Sequence, residues 1–238
     1  MAPITRRSFV SQSAAGLTAL GMIGGASRAA QAQLVWKGEQ WKLATFQMLV
    51  ANPARVKQVY DVSRIGEGKF LNNIKNSLNG LHFGFDVPVA HIKLVAALHG
   101  PANLMNYNDV IWSKYRIGEW LNVTDPTTGK PAVRNIFFTA KSSLDPAAFT
   151  KDPNDRDSIY QDTSIEALQA RGVQFLSCHT ATEEQARALI RHYKLTQSPE
   201  EVVQDMLVHT LPRVIVVASM VAAIALLQAE GRYTYITV

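Results

Sequence analysis

Apolar positions along this chain fall into short runs whose spacing switches between the two-residue period of a strand and the 3.6-residue period of a helix. Val56, Val59 and Val62 around Gln58, closed by Ser63 and Gly66, read as a first strand. From Lys69 to Phe83, Phe70, Ile74, Leu78 and Leu81 recur at helical spacing while Asn72, Asn73, Lys75 and Asn76 face elsewhere, which predicts a helix with one apolar stripe. His91 to Leu98 is a second strand. It stops at His99-Gly100-Pro101, because proline disfavours helix before it and glycine tolerates a sharp bend. Residues 34–53 carry Trp36, Trp41, Phe46 and Met48 without a clear period and are read as an N-terminal arm packed on a domain that begins at residue 54.

The pattern breaks between Asn122 and Thr163, where six aspartates and four prolines interrupt regular structure every few residues. A long insertion is expected there, serving as a lid, a partner-binding arm or a locally disordered segment. Ile136-Phe137-Phe138 is its apolar patch and is expected to anchor the excursion to the core or to a neighbouring subunit.

Regular punctuation returns with the capping spacing of Thr163 and Glu166, and Arg171-Gly172 supplies a helix stop. Val173 to Cys178 is a third strand. Thr182 and Gln185 repeat the capping spacing ahead of the stripe Ala186, Leu189, Ile190, Tyr193. Ser198-Pro199-Glu200-Glu201 opens a further helix, closed at Leu211-Pro212. The apolar run Val214 to Leu227 has 14 residues, too few for a membrane span. It divides into a buried strand, Val214 to Val217, and a helix, Val221 to Glu230, with Gly231 as its cap and Tyr233 to Val238 as a last strand.

Short strands alternating with helices of ten to fifteen residues predict parallel pairing and a three-layer α/β/α domain. Chemistry in such sheets gathers at the carboxyl ends of the strands. Three places are thereby singled out: Ser63 to Lys69 after the first strand, His99-Gly100 after the second, and Cys178-His179 after the third. The second and third strands are both expected to flank the first, so that His99 and Cys178 lie close together.

Composition excludes several classes. Of 238 residues, 47% are hydrophobic and 18% charged, enough apolar side chain for a core and too little charge to prevent collapse. The formal charge of +5 is concentrated at the start, since Arg6, Arg7 and Arg28 lie in a 32-residue stretch without acids. Removing that stretch leaves +2 and no run of three basic residues, which is not the footprint of a nucleic-acid binder.

The opening stretch reads as an address. Thr5-Arg6-Arg7-Ser8-Phe9-Val10 is a twin-arginine pattern, followed by a mildly apolar segment from Ala14 to Ala26 and the small-residue end Ala30-Gln31-Ala32. Residues 1–32 are read as an export signal cleaved after Ala32, which places the mature chain in the periplasm with no stable membrane span. Twin-arginine export carries folded chains and so favours a cofactor, but no cofactor is named by the residues. Cys178 is the only cysteine, so no intramolecular disulfide forms in that oxidising compartment. It is a buried thiol, an intermolecular linker or a chemically used sulfur.

Leu94 to Pro101 (LVAALHGP), Gly172 to Thr180 (GVQFLSCHT) and Leu211 to Ile236 (LPRVIVVASMVAAIALLQAEGRYTYI) resemble, in the same order, stretches of the DsrE-like sulfur-relay superfamily. The similarity spans roughly residues 54–110 and 163–238 and omits the arm and the insertion. The resemblance implies a five-stranded, mostly parallel sheet of flavodoxin-like strand order between helices, and assembly into homo-oligomers or hetero-oligomers. It also implies a cysteine after the third strand that takes a persulfide, the position of Cys178, and a histidine at the position of His99. Relay members are mostly cytoplasmic, so a tRNA-modification relay does not carry over to an exported chain.

The residues themselves leave alternatives open. Cys178 lies where a strand gives way to a helix, whose amino end and the neighbouring His179 favour thiolate, the form that attacks a sulfur donor or binds a soft metal. That requires a sulfur at the sheet's rim within reach of both solvent and the helix start. A buried free cysteine would instead act as apolar filler. Cys178, His99 and His179 would suit copper or zinc, although no CxxC, HxH or HExxH spacing occurs, and no metal is assigned. Gly66, Gly68 and Lys69, with Gly100, are read as a backbone anion cradle, without Walker or GxGxxG spacing. His82, His91, His192 and His209 are read as structural or solvated. The expectation is therefore an exported, oligomeric α/β protein that accepts sulfur on Cys178, with His99 and His179 as polar neighbours and a small sulfur species or ligand as partner. The alternatives are a non-catalytic binding or assembly module and a periplasmic metal-binding protein.

Overall fold

Val59, Val95, Leu176 and Ile215 lie on neighbouring strands of one all-parallel sheet, and burial of this β-branched and aliphatic layer drives the strands together. The computed structural model describes residues 43–139, 152–158 and 161–238. The export segment read at 1–32, its cleavage point and the first part of the arm lie outside the described residues.

The chain runs through helix α1 (Leu43–Val50), strand β1 (Val56–Val62), α2 (Lys69–Asn79), β2 (Ile92–Leu98), α3 (Asp109–Lys114), α4 (Ile117–Trp120) and α5 (Ile165–Ala170). It continues through β3 (Gln174–Cys178), α6 (His179–Tyr193), α7 (Pro199–Val208), β4 (Ile215–Val217), α8 (Met220–Ala229) and β5 (Thr234–Thr237). Five parallel strands between helices make the expected three-layer α/β/α fold.

Alternate strand residues sort the two faces. Val59, Val95, Ala97, Leu176, Cys178, Ile215 and Val217 share a core with Phe46 and Leu49 of α1 and with Met220, Ala223, Ile224 and Leu227 of α8. The residues between them face the other way, where the Tyr60 hydroxyl bonds Ser77 of α2.

The strand order is β4-β3-β2-β1-β5, which corrects the flavodoxin-like 2-1-3-4-5 order. The first four strands are laid down in sequence order, and only the connection through α8 reverses direction to place β5 beside β1. That crossing suits the sequence of α8, MVAAIALLQA, whose Met220, Ala223, Ile224 and Leu227 pack on the sheet face that it shares with α1. The same order corrects a second expectation: β3 does not flank β1, and β2 lies between them.

Local boundaries shift for identifiable reasons. The arm contains a helix, α1, because Phe46 and Leu49 have a buried place under α8 that no local period announces. The cap of α5 is Ser164, whose Oγ accepts the Ala167 N–H, and not Thr163. Helix α6 starts at His179, directly from the strand, with the Cys178 sulfur in the capping position, so Thr182 and Gln185 lie within it. Ser198 and Glu201 form the full capping box expected for α7.

The described parts of the 122–163 insertion contain no helix or strand, only a single bridge between Thr124 and Pro131. Asp125 organises its turn by accepting the Thr127 N–H at 2.8 Å and the Arg134 guanidinium at 2.8 Å. Phe137 anchors the excursion to its own domain: its ring packs on Gly68 and near Trp112, and its carbonyl accepts the Ile165 N–H. Among the described residues no helix is long and apolar enough to cross a membrane.

Candidate functional site at the carboxyl edge of the sheet

Strand β3 runs without a loop into α6, so its last residue, Cys178, occupies the junction. Its sulfur accepts the backbone N–H of Ala181, in the first turn of α6, at 3.4 Å, and that of Met220, the first residue of α8, also at 3.4 Å. The amino ends of two helices therefore converge on one sulfur, an arrangement that favours negative charge there. Burial opposes it. Cys178 is 5% exposed among apolar neighbours, and desolvation lifts its pKa above the ordinary thiol range, while the N–H groups of Ala181, Met220 and Thr180 pull the other way. The helix reaches the sulfur as expected; solvent scarcely does.

The other face of this junction is held by a buried polar network. The Asn103 side-chain oxygen accepts the Cys178 N–H and the Ser177 hydroxyl, each at 2.9 Å. The Asn103 amide donates to Thr182, Gln185 and the Tyr107 hydroxyl, and Thr182 donates back to the Cys178 carbonyl at 2.9 Å. These groups follow the second strand in the 3-10 segment Gly100–Asn106 and return from α6, so the network ties two crossovers together behind the cysteine.

His99 follows β2 with extended backbone (φ −143°, ψ −176°), and the register pairs Leu98 with Ser177. One step further along both strands brings His99 beside Cys178, and strand alternation puts both on the α8 side of the sheet. Asp61 of β1 is on that side too. His99 Nε2 lies 2.6 Å from Asp61 Oδ1, with side chains 26% and 19% exposed. The second Asp61 oxygen accepts the hydroxyl of Tyr235, on the outer strand β5, at 2.5 Å. A carboxylate, an imidazole and a thiol thus occupy the ends of three consecutive strands, β1, β2 and β3.

His179 does not join them. Its ring lies inside the protein 3.3 Å from Glu183, one helical turn on, with side chains only 1% and 2% exposed. Burial lowers its pKa, against the attraction of Glu183. Gly100 has φ +50° and sits where a side chain would press on the Ser63 carbonyl, and its own carbonyl accepts the Gln185 amide at 2.6 Å.

Gly66, Glu67 and Gly68 take consecutive left-handed conformations before α2, and the Gly68 N–H is spent on the Ile65 carbonyl at 2.7 Å. Lys69 turns to Glu67 at 3.2 Å, both strongly exposed. Gly66 and Glu67 line a cleft of about 470 Å³ with Leu121, Val123 and Phe137, and neither this cleft nor its neighbour around Gly68 is lined by Cys178, His99 or His179. Among the described residues no group of three or more His, Cys, Asp or Glu is placed to hold a metal ion.

Asp61, Tyr235 and Asn103 escaped the sequence reading. Asp61 left one signal, a lone charge near the carboxyl end of the otherwise apolar stretch VYDV. Tyr235 and Asn103 left none, since their partners are far along the chain.

Fold and geometry define an all-parallel, three-layer α/β protein whose carboxyl edge carries a buried thiol beside an Asp–His pair. No protein-family model, no curated protein and no solved structure matches the chain.

Proposed function

We propose that this chain is an exported, DsrE-like sulfur acceptor that takes a sulfane sulfur from a small hydropersulfide onto Cys178. In this reading residues 1–32 deliver it to the periplasm, and it works there as an oligomer. The observation that carries the reading is the sulfur of Cys178 held by backbone N–H groups from the starts of two helices, one residue past the strand register that brings in His99.

The step balances without an external oxidant. The Cys178 sulfur bonds to the outer sulfur of the donor, the donor's S–S bond breaks, and the departing thiolate takes up the proton that Cys178 gave away. The product is a cysteine persulfide and a free thiol. Because burial disfavours the thiolate, a base has to take the thiol proton, and the strand register offers His99, at the end of the neighbouring strand, for that role. The enclosed sulfur selects a small donor over a macromolecular one.

Intact-mass spectrometry after incubation with glutathione persulfide tests this directly. A gain of about 32 Da, one sulfur atom, is expected on the wild type and not on Cys178→Ser. An unmodified wild type would overturn the reading.

A second reading, a non-catalytic assembly module, is favoured by one observation. Leu43 and Met48 of α1 and Val221 and Leu226 of α8 are exposed apolar side chains on the two helices that share one face of the sheet. Sedimentation of the wild type against Val221→Asp separates them: a persistent oligomer lost in the variant, together with an inert thiol, would favour the module.

A further inference from the structure

The carboxylate of Asp61 is shared. One oxygen meets His99 Nε2 at 2.6 Å and the other accepts the Tyr235 hydroxyl at 2.5 Å, while the Thr237 hydroxyl donates to the Tyr235 oxygen at 3.0 Å. This chain of four side chains joins the outermost strand β5 to β2 across β1. A carboxylate accepts and cannot donate, so the ring nitrogen facing it carries the hydrogen. The lone pair is left on Nδ1, which has no hydrogen-bond partner among the described residues. Asp61 lies on one side of His99 and Cys178 on the other, because β2 runs between β1 and β3.

We infer that Asp61 and Tyr235 are positioning residues that fix His99 as the Nε2–H tautomer, so that its Nδ1 takes the proton of Cys178. This inference rests on Cys178 being the sulfur acceptor. The roles follow a nucleophile, base and orienting carboxylate arranged in line. Cys178 gives its proton to Nδ1 as its sulfur attacks the donor, and the imidazolium, stabilised by Asp61, returns it to the leaving thiolate. In the resting structure the sulfur is held by the two backbone N–H groups and not by the ring, and base contacts of this kind close up when substrate arrives or run through one water. Tyr235 acts one place further out. By occupying the second oxygen it keeps the carboxylate turned toward His99, and its place on a strand with exposed residues leaves that end of the chain open to solvent. Thr237, pairing with Asp61 in the β1–β5 register, holds the phenol in turn.

The test uses the full chain and two independent readouts. Long-range proton–nitrogen NMR of the His99 ring is expected to show hydrogen on Nε2 in the wild type and a redistributed tautomer in Asp61→Asn. Hydrogen on Nδ1 in the wild type would overturn the inference whatever the chemistry at Cys178. The second readout is the rate of persulfide formation from glutathione persulfide as a function of pH. His99→Gln and Asp61→Asn are each expected to slow it about tenfold or more near pH 7, with recovery at alkaline pH where the thiol ionises unaided. The double variant is expected to be no slower than the worse single one, since the two residues act as a unit. Tyr235→Phe is expected to give a smaller loss with the same pH dependence. Wild-type rates in Asp61→Asn, or losses that multiply in the double variant, would overturn the assignment. A wild type that takes up no sulfur while His99 holds its hydrogen on Nε2 would refute the acceptor reading and leave the tautomer assignment standing.

Discussion

The side-chain oxygen of Asn103 accepts the backbone N–H of Cys178 at 2.9 Å, fixing from behind the sheet the residue whose sulfur points to the other face. The same oxygen accepts the Ser177 hydroxyl, and the amide of Asn103 serves three more partners, all buried. Replacing Asn103 by alanine strands several of these groups at once. Each buried polar group left unpaired costs about 1–3 kcal/mol, so a loss of about 3 kcal/mol is expected, read as a lower urea midpoint at unchanged slope. A variant within 1 kcal/mol of wild type would mean that water replaces the amide without cost.

Gly66 and Gly68 both have positive φ, yet their surroundings differ. A β-carbon at Gly66 meets nothing within 4 Å, whereas one at Gly68 comes within 2.9 Å of the Phe137 ring. Gly66→Ala is expected to cost about 1 kcal/mol of backbone strain, and Gly68→Ala about 1–3 kcal/mol more for overpacking. Adding Phe137→Leu to Gly68→Ala should recover part of the difference. Equal thermal midpoints for the two single variants would show that the insertion does not rest on this glycine.

Among the described glycines, Gly118 of α4 makes the tightest backbone approach, because a β-carbon there would lie 2.2 Å from the Ala132 carbonyl oxygen. Backbone cannot yield as a side-chain tip does. Gly118→Ala is expected to cost more than 3 kcal/mol and to free the 122–139 segment, seen as accelerated proteolysis there before global unfolding.

His179 couples stability to acid. Its folded pKa is depressed by burial, so folding favours the neutral ring. That contribution is fully present above the unfolded value near 6.5 and is lost as pH falls through the lower folded value. Denaturation midpoints should drop below about pH 6.5, and the drop should flatten in His179→Gln. An unchanged acid limb in the variant would exclude His179 as its source.

Cys178 couples to alkali with the opposite sense. Its folded pKa is raised, so its stability contribution is intact below the unfolded thiol value and disappears as pH climbs through the folded one. Alkylation of the native protein by iodoacetamide should stay slow past about pH 8.5 and accelerate only above it. A thiol that alkylates at pH 7 as fast as free cysteine would contradict the buried environment.

Periodicity made most of the elements legible. The short β-rich run that became β1, the stripe Phe70, Ile74, Leu78 of α2 and the Ser198–Glu201 box of α7 are local patterns in which neighbouring residues answer one another. Where the reading slipped, the signal was local and the cause was not. Thr182 and Gln185 have capping spacing, but they are spent on a network with Asn103, Tyr107 and Gly100, nearly eighty residues or more away. Phe46 and Leu49 have no period because what orders them is α8.

The same division runs through the site. Strand ends, and with them the candidacy of His99 and Cys178, are properties of the sequence, because a run of β-branched residues ended by glycine, proline or a helix start terminates wherever it is placed. Which strand ends become neighbours is not such a property. The order β4-β3-β2-β1-β5 set His99 between Asp61 and Cys178, carried Tyr235 back to Asp61 from 174 residues along the chain and closed α8 over the sulfur. Those juxtapositions come from how the crossovers bury both faces of the sheet at once, a condition on the whole chain that no window of residues contains.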